Sequence, residues 1–237
     1  MTPPVSNTEF PNKELSKTIV GEDAMVLLGQ ALGHSLFFDE SLGAAPKVTS
    51  SEAIPGEAVS IEATPSEGAS IEISSALVFF EGDLGAGKTT LCRGILQAFG
   101  HSGAVKSPTY TLVESYIAES GAGGLKNAQV HHFDLYRLGD PEELEFIGIR
   151  DYLEPGNFCL VEWPNRGDGI LPTPDLRVTI SVTAAVAAEE QRLEDREIKK
   201  VGRNVRIVAE TKMGEVFLSH LIKNQIIENQ KIEEQGN

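Results

Sequence analysis

Short runs of consecutive apolar residues alternate along the chain with stretches whose apolar positions recur at helical spacing. Residues 76–80 (Ala-Leu-Val-Phe-Phe) form an uninterrupted apolar run, the pattern of a strand buried on both faces. Beyond a glycine-rich break, Leu91, Ile95, Leu96 and Phe99 fall on one helical face, and Gly100 ends that helix. A helix is predicted over 21–36, with Ala24, Leu27, Leu28, Ala31 and Leu32 on one side. Strands are predicted over 110–117 and 128–135, separated by a glycine turn at 121–124. Asp140, Pro141 and Glu143 supply an N-cap, a first helical residue and a capping-box acid for a helix running to about Ile149. Further strands follow at 158–161, 176–182 and 205–209. A closing helix at 214–228 turns Val216, Phe217, Leu221 and Ile222 inward. Strands interleaved with helices predict a three-layer α/β fold: a mostly parallel central sheet with helices on both faces.

Four stretches break this rhythm. Residues 1–17 and 229–237 are polar and are read as tails, leaving a single domain over 18–228. Between 39 and 75 aromatics vanish and Glu recurs every five residues, at Glu52, Glu57, Glu62, Glu67 and Glu72. The blocks SEAIP, GEAVS, IEATP, SEGAS and IEISS repeat with a period that matches neither a helix face nor a strand face, so a solvated acidic insert is expected. The rival reading is an interaction arm that folds on a partner. A charged insert is placed at 184–201.

The glycine-rich break carries the sharpest chemistry. Gly82-Asp83-Leu84-Gly85-Ala86-Gly87-Lys88-Thr89 matches G-x-x-x-x-G-K-[ST] between a predicted strand and a predicted helix, the setting a phosphate-binding P-loop requires. Backbone N–H groups freed by the glycines would cradle the β-phosphate, helped by the helix N-terminus at Lys88, Thr89 and Thr90. Lys88 would reach the β/γ-phosphates and the Thr89 hydroxyl would take a position on Mg²⁺. The fold expected is therefore P-loop NTPase-like, binding a nucleoside triphosphate. No N-K-x-D guanine-reading motif follows the loop, which favours ATP over GTP.

Hydrolysis also needs an acid at a neighbouring strand end. Glu162 follows the apolar run 158–161, and Asp134 ends the strand that contains His131 and His132. Either acid could instead cap the next turn. Ser107-Pro108-Thr109-Tyr110-Thr111 sits where a phosphate-sensing loop would lie, or is a Ser-Pro turn opening a Thr-rich strand. Trp163 covers the site or serves as a core or partner-facing aromatic. Adjacent His131 and His132 point to opposite strand faces and do not share one ion. Nothing in the sequence marks Arg137, Arg150, Arg166 or Arg203 as an arginine finger.

Charge then narrows the partners. Twenty Lys and Arg against 35 Asp and Glu give a net charge of −15, which argues against a broad nucleic-acid footprint. Cys92 and Cys159 lie in separate apolar segments and read as buried, reduced thiols. The start of the chain lacks a secretion-signal pattern and no apolar run is long enough to span a membrane, so a cytoplasmic location is expected.

Taken together, the loop 82–90, the segment Val105 to Glu114 with S-P-T-Y-T, the run His132-Phe133-Asp134-Leu135-Tyr136-Arg137-Leu138, Pro141-Glu142-Glu143-Leu144-Glu145, and Val161-Glu162-Trp163-Pro164 resemble the TsaE family. These are small bacterial ATPases of tRNA threonylcarbamoyladenosine biosynthesis. The resemblance spans about 18–182 and returns weakly over 202–221. It implies an ATP- and Mg²⁺-dependent accessory role beside the TsaB–TsaD complex, which modifies adenosine 37 of ANN-decoding tRNAs. The tRNA would be reached through those partners. It further implies that Lys88, Asp134 and Glu162 are catalytic. Thr89, Asp134 and Glu162 would be metal-linked, Thr109 a switch residue, and Arg203 and the backbone near Ile19 or Val20 nucleotide contacts. The inserts at 39–75 and 184–201 depart from the family's usual short connections but remove no motif residue. The other readings are a kinase transferring the γ-phosphate to a small molecule and a nucleotide-sensing module with negligible turnover.

Overall fold

The computed structural model describes residues 13–36, 75–118, 128–183 and 202–235. Apart from Ser75, the acidic insert lies outside the described residues, as do the charged insert and the turn at 121–124. The described elements build one seven-stranded sheet. In chain order they are β1 (Glu14–Val20), α1 (Glu22–Leu36), β2 (Ala76–Glu81), α2 (Lys88–Ala98), β3 (Val113–Ile117), β4 (Gln129–Asp134), α3 (Glu143–Phe146), α4 (Ile149–Tyr152), β5 (Asn157–Glu162), β6 (Leu176–Thr183), β7 (Gly202–Ala209) and α5 (Lys212–Gln235).

The strand order is β1-β7-β6-β2-β5-β4-β3. The four central strands β6, β2, β5 and β4 pair in parallel. Antiparallel pairs close both edges, β7 and β1 on one side and β3 on the other. The expectation of a mostly parallel sheet thus holds for the core, with a mixed sheet overall. β2 is buried along nearly its whole length, as a central parallel strand requires. β1 alternates between exposed and half-buried residues, as an edge strand does.

Period-two alternation splits the interior. Ala76, Val78, Phe80, Val130, Phe158 and Leu160 join the larger core with α1, α2 and α5. Leu77, Phe79, Phe133, Cys159 and Val161 point the other way into a smaller core, closed by α3, α4 and the loops around them. Helices do cover both faces, but the long ones share one face.

Several boundaries differ from expectation. β1 begins at Glu14, inside the stretch read as a polar tail, because Leu15 and Ile19 pack on the larger core from one face of the strand. α5 continues to Gln235, through most of the predicted C-terminal tail, since no Gly or Pro interrupts the segment before Gly236. The inward face of α1 is Met25, Leu28, Gly29, Leu32, Gly33 and Leu36, whereas Leu27 is exposed. The helix expected over 140–149 is two short ones, because Gly148 between them adopts φ 73°. The reciprocal Asp140 and Glu143 bonds form just ahead of α3 (Glu142 N–H to Asp140 Oδ1, 2.9 Å; Asp140 N–H to Glu143 Oε1, 2.9 Å), while the N-cap itself is Glu142, which makes no side-chain cap bond. β3 starts only at Val113, because Thr111 and Leu112 N–H both close a turn onto the Pro108 carbonyl and Leu112 takes φ 64°.

Candidate functional site

The candidate site forms where β2, β4 and β5 end together. β2 runs into the loop 82–87, and α2 departs from that loop at Lys88. Gly82 (φ 140°) has no room for a side chain, since a Cβ would lie 2.3 Å from the Ile180 carbonyl oxygen. Gly87 (φ 111°) is the N-cap of α2 and brings no side-chain acceptor, so the first-turn N–H groups are left without a side-chain cap. Asp83, Leu84 and Gly85 are exposed at the crest of the loop, while Ala86 is buried beneath it.

Lys88 is buried at 4% exposure. Its Nζ donates to the carbonyls of Gly82 (2.8 Å) and Asp83 (3.0 Å). The same Nζ lies 3.9 Å from the centroid of the Trp163 ring. Desolvation holds this ammonium below its ordinary value of 10.5, opposed by the nearby carboxylates of Glu162, Asp134 and Asp83. Trp163 reaches this position through a left-handed backbone, φ 60°, immediately after Glu162. An αL conformation in a bulky residue is uncommon, and here it turns the indole onto the loop lysine.

The two candidate acids stand side by side. Asp134 at the end of β4 pairs with Glu162 at the end of β5, and Glu162 in turn pairs with Phe80 of β2. Both acids are almost fully buried. Glu162 Oε1 accepts from Thr89 Oγ1 (2.8 Å), so the strand-end acid and the loop hydroxyl are joined directly. The same oxygen meets His132 Nε2 at 2.9 Å. Asp134 Oδ2 accepts from Thr109 Oγ1 (2.7 Å) and from Ser107 Oγ, and its Oδ1 accepts the Tyr136 N–H (3.0 Å). The turn at Pro108 therefore delivers two hydroxyls to the acid, which favours the sensing-loop reading over a plain strand. Neither acid serves merely as a turn cap, although Asp134 does cap the turn at Tyr136 as well.

The more distant candidates divide. Arg203 in β7 donates through Nε to the Ala86 carbonyl (2.7 Å), tying the antiparallel edge to the loop. Val20 ends β1 opposite Gly202, one position from Arg203 in the ladder, and its side chain is 38% exposed. Thr90 is half-buried in the first turn of α2. Arg150 pairs with Glu145, and Arg137 stacks on Tyr110 with Nη2 3.2 Å from its hydroxyl. Cys92 and Cys159 are both buried free thiols.

His131 and His132 do point apart. His131 meets Ser115 Oγ (2.8 Å) and the edge of Tyr152. Sequence reasoning weighed His132 only as half of a metal pair, Ser107 only as part of the sensing-loop segment and Cys92 only as a buried thiol, and linked none of them to the two acids. The missed signal for His132 is its i, i+2 spacing to Asp134, which puts both on one face of β4. Cys92 lies one helical turn beyond Thr89, and its Sγ, a His132 nitrogen and a Glu162 oxygen all fall within 4.8 Å of one another. Burial, with Glu162 and Asp134 nearby, pushes the Cys92 thiol well above its ordinary value, so it stays protonated.

The hydroxyl of Thr89 and the carboxylates of Glu162 and Asp134 are hard oxygen donors, the set that suits Mg²⁺ rather than a soft metal. A glycine-rich loop leading from the central parallel strand β2 into a helix, with acids at the ends of β5 beside it and β4 beyond, defines an α/β protein of the P-loop NTPase-like class. The family model described as "Threonylcarbamoyl adenosine biosynthesis protein TsaE" matches residues 57–193, and the chain belongs to the TsaE family. Its similarity to proteins named tRNA threonylcarbamoyladenosine biosynthesis protein TsaE is extensive. It is 47% identical to that of Haemophilus influenzae over 143 residues, covering 60% of this chain and 76% of the relative. Identity to the Bacillus subtilis protein is 32% over 141 residues, 60% of this chain and 72% of the relative. With the Rickettsia conorii protein it is 38% over 105 residues, 44% of this chain and 55% of the relative. No described helix is long and apolar enough to cross a membrane.

Proposed function

We propose that this chain is a Mg²⁺-dependent ATPase that supports threonylcarbamoylation of adenosine 37 in ANN-decoding tRNAs, acting beside a TsaB–TsaD complex in the cytoplasm. The observation that carries the ATPase reading is the Thr89 Oγ1–Glu162 Oε1 hydrogen bond, with Asp134 paired to Glu162 in the adjacent strand. A threonine hydroxyl can donate its proton to a carboxylate while its lone pairs ligate a cation, so this contact is compatible with a loaded site. The tRNA-modification role rests on the family and on the names of its relatives.

In this reading the loop N–H groups and Lys88 receive the phosphates. Lys88 leaves the carbonyls of Gly82 and Asp83 for the β/γ-phosphate oxygens, and Trp163 covers the lysine from the side. Thr89, Glu162 and Asp134 would hold Mg²⁺, which would supply charge neutralisation for the phosphates. Glu162 orients the attacking water, and Thr109 exchanges its bond to Asp134 for a phosphate-dependent contact. Partners complete the site, so hydrolysis by the isolated protein is slow.

The test is threonylcarbamoylation of an ANN-decoding tRNA by reconstituted partners, with and without this protein and ATP. Multiple turnovers that require the protein and fail with Lys88→Ala are expected. Glu162→Ala is expected to bind ATP but lower hydrolysis by about 100-fold or more, the range for loss of a positioned acid–base group. Turnover independent of the protein, with competent partners, would overturn the client. Unimpaired hydrolysis by Lys88→Ala would overturn the site.

A further inference from the structure

Glu162 is buried at 2% exposure, and one of its oxygens, Oε1, holds two contacts, Thr89 Oγ1 and His132 Nε2. His132 is itself fully buried, at 0% exposure. Among the described residues its other nitrogen, Nδ1, is buried without a hydrogen-bond partner. These facts fix the proton. An ionised Glu162 only accepts, so the tautomer assigned to His132 places the hydrogen on Nε2. Placing a proton on Nδ1 would strand a buried N–H, whereas the Nε2–H tautomer strands only a lone pair. The ring is therefore aligned as a donor to one oxygen of one acid.

We infer that His132 is a positioning residue for Glu162: its Nε2–H holds the carboxylate in the orientation in which Oε1 also receives the Thr89 hydroxyl. The inference rests on the reading of Thr89 and Glu162 as Mg²⁺-linked groups given above. Two donors converging on one oxygen restrict rotation of the carboxylate about its last torsion, as a second hydrogen-bonded layer does around a metal site. The backbone makes this arrangement possible. His132 and Asp134 share one face of β4, and Asp134 is paired with Glu162, so His132 lies diagonally behind the acid and reaches it from the core side. Thr89, on the first turn of α2, reaches it from the loop side. The acid is thus gripped between the sheet and the helix that carries the phosphate loop.

The test compares His132→Leu, His132→Gln and His132→Asn in the full chain. It reads the Mg²⁺ concentration that half-saturates ATP binding by calorimetry, alongside ATP binding without Mg²⁺, thermal stability and hydrolysis. Leu removes the donor, Gln carries an amide N–H to about the position of Nε2, and Asn is polar but too short. The expected result is that Leu and Asn raise the Mg²⁺ requirement by roughly 10- to 100-fold. Binding without Mg²⁺ stays near wild type, and Gln restores the Mg²⁺ requirement. If Leu does not fold, the Gln–Asn comparison decides alone. An unchanged Mg²⁺ requirement in Leu and Asn, or a Gln variant as impaired as Asn, would overturn the inference. Wild-type protein that binds Mg²⁺ and ATP but never hydrolyses it, even with partners, would instead sink the ATPase reading and leave the His132 comparison standing.

Discussion

Desolvation makes the buried Lys88 ammonium bind its proton less readily than a lysine in water, although two main-chain carbonyls and an indole face lie against it. Two consequences carry defined signs. Between the depressed folded value and the ordinary 10.5, the unfolded chain binds more protons than the native one at this residue. Its contribution to stability therefore rises with pH across that window. Phosphate oxygens favour the charged form, so ATP binding draws the Lys88 value back up and takes up a proton in the same window. Affinity for ATP is expected to fall as pH rises through the depressed value. Calorimetry in two buffers of different ionisation enthalpy reads the uptake directly. Proton uptake absent at alkaline pH, with the protein still folded, would show that Lys88 does not meet the phosphates. Trp163 is the chain's sole tryptophan, so its emission follows the same departure of Lys88 from the ring.

At the scale of elements, the glycine-rich loop 82–87 depends on how closely α1 approaches α2. A Cβ on Gly29 would lie 2.4 Å from the Leu91 carbonyl oxygen, and one on Gly94 would lie 2.2 Å from that of Val26. Both obstacles are backbone, so neither helix can yield without moving as a body. Gly94→Ala is expected to cost about 1–3 kcal/mol, the range for overpacking a tight contact, and to lower the midpoint of thermal unfolding. Because α2 starts at Lys88, it should also weaken ATP binding, whereas Gly85→Ala, which meets nothing within 4 Å, should not perturb the helix pair despite its φ of 79°. A Gly94→Ala protein of wild-type stability would contradict this packing. The same contact explains what could be read in advance. Local periodicity found α1, α2 and the central strands, and the loop motif with its strand-end acids singled out Lys88, Thr89, Asp134 and Glu162, which the fold brings together. Periodicity oriented α1 through Leu28, Ala31 and Leu32 but misplaced Leu27, because part of the inward face is Gly29 and Gly33, and glycines carry no hydrophobic signal. It could not see β1, whose partner β7 follows nearly the whole chain later. His132 and Cys92 join Glu162 only through register and helix phase, which a linear motif does not encode. The left-handed turns at Leu112 and Trp163 lack the glycine that would announce them.

For the whole molecule, the decisive quantity is charge. Binding a tRNA backbone depends on Lys and Arg displacing counterions from phosphates, and affinity then falls steeply with salt. This chain carries 35 acids against 20 Lys and Arg. Several of those cations are already committed to carboxylates, as Arg206 is to Glu14, Arg177 to Glu81 and Glu210, and Arg93 to Glu22. A polyanion approaching the surface therefore meets net repulsion. The protein alone is expected to give no shift of an ANN-decoding tRNA in a native gel, even at low salt, where a basic footprint would bind most tightly. Adding the partners should bring it into a tRNA-containing complex whose formation depends on ATP. Salt-sensitive binding of tRNA by the isolated chain would mean that a local cationic surface outweighs the overall charge. The accessory role would then include direct contact with the substrate, rather than action on it through the proteins that hold it.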